Sequence, residues 1–153
     1  MHFWDQHKLI TYYYESLSKS ICEKYNLTKM EYDILMFLYN NPQFNTAADI
    51  VKVRKSTKSH VSIALKDLEK KGMIERRQNP NNKKIIEIFL LEKAKKISDE
   101  GMNLQKKLMH NLLDGFSDDE KKICKIMFDK IAANAESYLK KQEQTRCNNV
   151  SCK

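Results

Sequence analysis

Apolar and aromatic positions in the first 25 residues recur at alternating steps of four and three: Phe3, His7, Ile10, Tyr14, Leu17 and Ile21. One face of a helix has that spacing, so the pattern predicts a helix from Phe3 to about Tyr25. Met30, Ile34, Phe37 and Leu38 predict a second from Lys29 to about Tyr39. It stops at Asn40-Asn41-Pro42, because proline disfavours helical geometry in the residue before it. Ala47, Ile50 and Val51 mark a short third helix ending near Val53. Ser56 is read as the N-cap of a fourth that reaches Lys71, with Gly72 at its C′ position. Three helix starts carry a hydroxyl followed three residues later by an acid: Thr28/Glu31, Thr46/Asp49 and Ser117/Glu120. Each is a capping box, in which the two side chains satisfy orphan amides.

Past Gly72 the period changes from helical to alternating. Met73–Gln78 and Lys83–Leu90 read as two strands around the turn Asn79-Pro80-Asn81-Asn82, and nothing else in the chain resembles a hairpin. Two long helices follow, about Glu92 to Leu113 and Asp118 to Lys141. The expected fold is mainly α with a small β-hairpin. A winged helix-turn-helix lobe occupies residues 28–91, residues 1–27 and 92–142 form a helical dimerisation region, and 143–153 are a flexible polar tail. The stripes on the first, fifth and sixth helices are too extended for so small a core to cover, and a second copy of the chain covers them most simply.

Composition changes the picture at one point. The chain of 153 residues carries a net charge of +8, but the excess is confined. Residues 52–96 hold 14 Lys or Arg against 5 Asp or Glu, whereas the other residues hold 14 against 15. A surface charged only for solubility would spread this excess, while a polyanion-binding face concentrates it. No run of 18 apolar residues predicts a membrane span, and the N-terminus lacks a signal-peptide pattern, so a cytoplasmic protein is expected. In that compartment the four cysteines are expected to be reduced, with Cys22 and Cys124 as small core residues.

The basic segment coincides with the short helix, the turn, the next helix and the hairpin, which together make a helix-turn-helix with a wing. On a helical wheel Val61, Leu65 and Leu68 of the fourth helix point inward, with Thr57 and Ala64 close by. Ser59, Ser62, Ile63, Lys66 and Lys70 lie opposite. Short polar and basic side chains on the outer face suit a helix lying in a DNA major groove. Ser56, Thr57 and Lys58 add free amides and an ammonium group at the positive end of the helix, where a backbone phosphate is attracted. His60 is read as a groove-side or helix-packing residue. The hairpin adds Arg76, Arg77, Lys83 and Lys84, placed to straddle phosphates or enter the minor groove. No metal-ligand spacing, Gly-rich phosphate loop or nucleophile elbow is present, so neither a metal, a cofactor nor an enzyme is expected.

Lys58-Ser59-His60-Val61-Ser62, Leu65 and Leu68-Glu69-Lys70-Lys71-Gly72-Met73-Ile74 resemble the recognition helix and closing Leu-Glu-x-Lys-Gly of MarR-family transcriptional regulators. Glu75 to Lys84 lies where that family's wing has Arg, Asp-Pro and then Asp-Arg-Arg. Leu90-Leu91-Glu92-Lys93-Ala94 is similar to its Leu-Thr-Glu-x-Gly. The resemblance implies a homodimeric regulator, a repressor, on a near-palindromic double-stranded DNA site. Its two recognition helices would reach successive major grooves about 34 Å apart. The chain departs from the pattern at Asn82-Lys83-Lys84, and lysine lacks arginine's planar fork, so phosphate contact is expected there rather than base reading. Ile63 stands where the family frequently has a basic residue, and could pack against a thymine methyl. The resemblance also implies a small phenolic or lipophilic effector near the first, second and fifth helices, contacted by Tyr12, Tyr13, Tyr14, Tyr32, Phe37 and Tyr39. Two rivals stand beside this reading. One is a winged-helix module for an acidic protein partner. The other is a thiol-responsive regulator using Cys22, or Cys147 with Cys152.

Overall fold

In a computed structural model, residues 2–150 are described, with side chains through residue 145. The elements run α1 (Phe3–Tyr25), α2 (Lys29–Asn40), α3 (Ala47–Arg54), α4 (Lys58–Lys70), β1 (Ile74–Gln78), β2 (Ile86–Leu90), α5 (Glu92–Leu112) and α6 (Asp118–Val150). They fall into two compact units, residues 1–109 and 110–153.

The first unit is built around α2. Tyr32 and the run from Ile34 to Leu38 are all buried, more than the stripe of Met30, Ile34, Phe37 and Leu38 predicts. A helix buried on most of its circumference is a central helix rather than a surface one. Val61, Ala64, Leu65 and Leu68 of α4 pack onto the same core, with Ile50 of α3 and Ala94 and Ile97 of α5. Only the base of the hairpin joins it, through Ile74 and Ile88, which leaves the rest projecting. The strands are antiparallel with Ile74 opposite Leu90 and Gln78 opposite Ile86, and the Ile88 amide also donates to the Asn45 carbonyl at 2.8 Å. Gly101 of α5 lies where α2 presses closest. A Cβ there would come within 2.3 Å of Met36 Sδ and 2.9 Å of the Tyr32 hydroxyl.

All three capping boxes form as the spacing predicts. Several boundaries differ from the sequence reading. The N-cap of α4 is Thr57, whose Oγ1 accepts from the His60 amide at 3.4 Å, and Ser56 lies in the turn before it. The cause is Lys55, which takes a left-handed conformation (φ 53°) as the C-cap of α3 and delays re-entry into the helix by one residue. The second strand starts at Ile86 rather than Lys83, because asparagine-directed turns consume residues 79–85. At the far end of the chain α6 continues beyond Lys141, to Val150. Cys147 and Cys152 lie outside the residues whose side chains are described.

Gly72 closes α4 as expected. Its φ of +65° and the Met73 amide bonded to the Leu68 carbonyl at 3.0 Å form the left-handed stop that glycine favours. Cys22 is half-buried against the core. Cys124 is not in that core, and instead lines a groove of the second unit with Ile123, Met127, Phe128 and Ile131. Ile123, Ile126, Met127, Phe128, Ile131 and Tyr138 of α6 are exposed in the single chain, as are Phe3, Trp4 and Ile10 of α1. Among the described residues no helix is long and apolar enough to cross a membrane.

Candidate nucleic-acid interface

The outer face of α4 is as the wheel predicts. Lys58, Ser59, His60, Ser62, Ile63 and Lys66 are all exposed, while the residues between them are the core contacts. Thr57 is exposed too, being the cap rather than a core neighbour, and its hydroxyl lies 3.4 Å from that of Ser59. Ser56 is half-buried in the turn and contributes no helical amide. Ile63 keeps 61% of its surface exposed, a large apolar area on an otherwise polar face. With His60 and Met30 it borders a shallow depression beside the start of α2.

Cations divide into two groups. Lys58 and Lys66 form no ion pair among the described residues, and neither do Lys83 and Lys84 in the hairpin loop. By contrast, Arg76 Nη2 lies 2.8 Å from Glu69 Oε2 of α4, and Arg77 pairs with Glu75 while stacking 5.2 Å above the Phe89 ring. Both arginines are therefore on the strand, held against the hairpin's own side chains or α4, and not at its tip. Lys70 faces Asp67 at 3.8 Å, and Arg54, the last residue of α3, pairs with Asp33 at 3.1 Å.

The loop itself is ordered by asparagines, a role the sequence reading does not assign. Asn79 Oδ1 accepts from the amides of Asn81 (2.9 Å) and Asn82 (3.0 Å), and its Nδ2 donates to Glu87 at 3.0 Å. Asn82 Oδ1 then accepts from the Lys84 amide at 3.1 Å. Asparagine side chains that accept from amides two or three residues on are turn-formers, and the Asn-Pro-Asn-Asn run is the signal that points to them. These bonds present Lys83 and Lys84 outward without any ionic clamp.

The six aromatic residues proposed for an effector do not share one cavity. Tyr14 and Phe37 line a polar cavity of about 380 Å³ with Lys29, Asp33, Arg54 and Gln105. Lys29 also sits 5.0 Å above the Tyr14 ring. Tyr39 lines a separate cavity beside β2 and donates to Asp99 at 2.6 Å. Tyr32 is wholly buried, and burial pushes its phenol well above the ordinary value, so it stays neutral. Tyr12 is exposed and Tyr13 half-buried, and neither lines the cavity of Tyr14. Burial likewise pushes the Cys22 thiol up and so lowers its thiolate fraction, an effect that the Lys29 charge partly opposes.

The model of the MarR family matches residues 25–85, from the end of α1 through α4 and β1 to the wing loop. Through this segment the chain is similar to the MarR family. It is 29% identical over 132 residues to YybA of Bacillus subtilis (strain 168), an uncharacterised HTH-type transcriptional regulator, covering 83% of this chain and 86% of that one. A MarR-family transcriptional regulator from Listeria monocytogenes, solved with 26mer DNA, is 26% identical with a TM-score of 0.79, covering 91% of this chain and 93% of that one. The transcriptional regulator SlyA shares the fold at 22% identity and a TM-score of 0.77, covering 90% and 96%. The matched segment thus contains the helix-turn-helix with Lys58 and Lys66 and the wing loop with Lys83 and Lys84, and the relatives it resembles are transcriptional regulators.

Proposed function

We propose that this chain is a cytoplasmic, sequence-specific regulator of transcription that binds double-stranded DNA as a homodimer and represses until a small effector releases it. The observation that carries the reading is the exposed face of α4, where Lys58, Ser59, Ser62, Ile63 and Lys66 are free of ion pairs while nearby cations are tied. Serine hydroxyls and lysine ammonium groups can meet base-edge acceptors, and the exposed Ile63 offers an apolar contact to a thymine methyl. Lys83 and Lys84 supply phosphate contacts from the wing. The MarR-family proteins solved with DNA, from Listeria and as the S. aureus MepR–DNA complex, support this polarity.

Residues 28–91 are then the DNA-binding lobe and residues 1–27 and 92–142 the dimerisation region. The exposed apolar residues of α1, and separately those of α6, are surfaces a second copy would cover, consistent with isologous pairing of two chains. The cavity of Tyr14 and Phe37 is the place for a phenolic or lipophilic effector. Arg54 on its wall is the residue before the helix-turn-helix bend, so a ligand there reaches the lobe directly. An effector acts only by favouring the DNA-incompetent arrangement.

Selecting bound fragments from a random-sequence duplex pool provides the site, after which Ser59→Ala/Lys66→Ala is compared with the unaltered protein. The double variant loses its preference for the selected site over random duplex, with each good base contact worth about 1–3 kcal/mol. Unchanged discrimination removes α4 as the reader. Equal binding to all duplexes by the unaltered protein favours the acidic-partner reading.

A further inference from the structure

The ends of four helices meet at one ion pair whose carboxylate is buried and whose ammonium is partly exposed. Glu31, the third residue of α2, is only 2% exposed. Its carboxylate accepts from the Thr28 amide at 2.7 Å, completing the capping box, and from Lys71 Nζ at 2.8 Å on both oxygens. Lys71 is the C-cap of α4. The same ammonium group donates to the carbonyl of Asn26 at 2.8 Å, and Asn26 is the left-handed C-cap of α1 (φ 51°). The Lys71 carbonyl in turn accepts from Lys93, in the first turn of α5, at 3.4 Å. One lysine thus joins the end of the recognition helix to α1, α2 and α5.

We infer that Glu31 and Lys71 are positioning residues that fix where α4 stands relative to α1, and through it the spacing between the two DNA-reading helices of a dimer. The inference rests on the dimeric DNA-binding reading and deepens it. Two features of the pair suit the role. An ion pair with a buried member is seldom better for stability than an apolar pair of the same volume, yet it resists sliding, because separation strands the sealed Glu31 carboxylate even though Lys71 reaches solvent. Its position is also at the lever's fixed end. The stretch of α4 from Lys58 to Lys66 carries the outer face, while its C-terminal end is held. A helix of 13 residues is about 20 Å long, so a swing of about 10° at Lys71 moves the far end by about 3 Å, close to one base-pair rise.

The test uses the full chain and duplexes carrying the selected palindrome with its native half-site spacing, with one base pair inserted at the centre, and as a single half-site. The unaltered protein loses about tenfold in affinity on the insertion, as for one ill-placed base-pair contact. Glu31→Gln keeps the cap, since glutamine serves equally at that position, but removes the charge pair. Its insertion penalty falls to about threefold or less, while half-site affinity stays within about twofold of the unaltered protein. Glu31→Met/Lys71→Leu strands no charge, and shows the same relaxed spacing should Glu31→Gln fold poorly. Lys71→Arg retains a cation for Glu31 and retains the penalty. A full penalty in the folded Glu31→Gln or apolar-pair variant overturns the inference alone. So does an equal loss on half-site and palindrome, which marks a purely structural role. Absence of any spacing preference in the unaltered protein removes the dimeric DNA-binding reading first, and this inference with it.

Discussion

The outer face of α4 and the hairpin are both basic, but they hold their cations in opposite ways. On α4, Lys58 and Lys66 alternate with serines on a rigid helix whose other side is core, and neither has an acidic partner among the described residues. On the hairpin, the two arginines are bound to Glu69 and Glu75, while the loop lysines have no ion pair among the described residues. Positions fixed by a packed helix can discriminate between base edges, since a misplaced donor no longer meets its acceptor at hydrogen-bond distance. Lysines on a loop organised by Asn79 and Asn82 supply charge with less directional demand. The contrast assigns reading to one element and holding to the other. A count of basic residues would have treated the two alike.

Two perturbations sharpen that division. Lys83→Ala/Lys84→Ala has the larger effect. It weakens binding to the selected site and to random duplex by the same factor, leaving their ratio intact. A plot of log affinity against log salt becomes shallower by up to about 3.6, at about 0.9 for each phosphate that the two lysines of each protomer no longer neutralise. A change in the ratio would place base reading in the wing as well. Arg76→Ala has the smaller effect, because its guanidinium is already engaged by Glu69. Thermal or denaturant unfolding shows a loss below about 1 kcal/mol, as for a partly exposed surface pair, and the salt slope is unchanged. A slope reduced as much as by the lysine pair would show that Arg76 leaves Glu69 to meet DNA.

Much of this architecture is legible in the sequence, for reasons of range. Capping boxes at Thr28, Thr46 and Ser117 are fixed by residues three apart. The inner face of α4 follows from the period of Val61, Leu65 and Leu68. The hairpin follows from a change of period either side of Asn79-Pro80. What the sequence hides depends on partners far apart or on one local torsion. Glu31 and Lys71 are 40 positions apart, and nothing in either segment names the other. Arg76 and Arg77 look available in the sequence because Glu69 and Glu75 could equally have faced water. Serine at position 56 favours capping by residue type, but the left-handed Lys55 shifts the cap to Thr57. The aromatic set fails to assemble for a related reason. Helical spacing shows that Tyr32 and Tyr39 lie on α2, but not that one is sealed in the core while the other lines a different cavity.

The most direct measurement of the central claim is competition between the selected palindrome and a scrambled duplex of equal length for the unaltered protein, followed across a salt series. If the free face of α4 reads sequence, both affinities fall as salt rises. The palindrome stays preferred throughout, by on the order of a thousandfold or more. If the two duplexes compete equally at every salt concentration, the basic face is only a charged surface and α4 is not a reader of DNA.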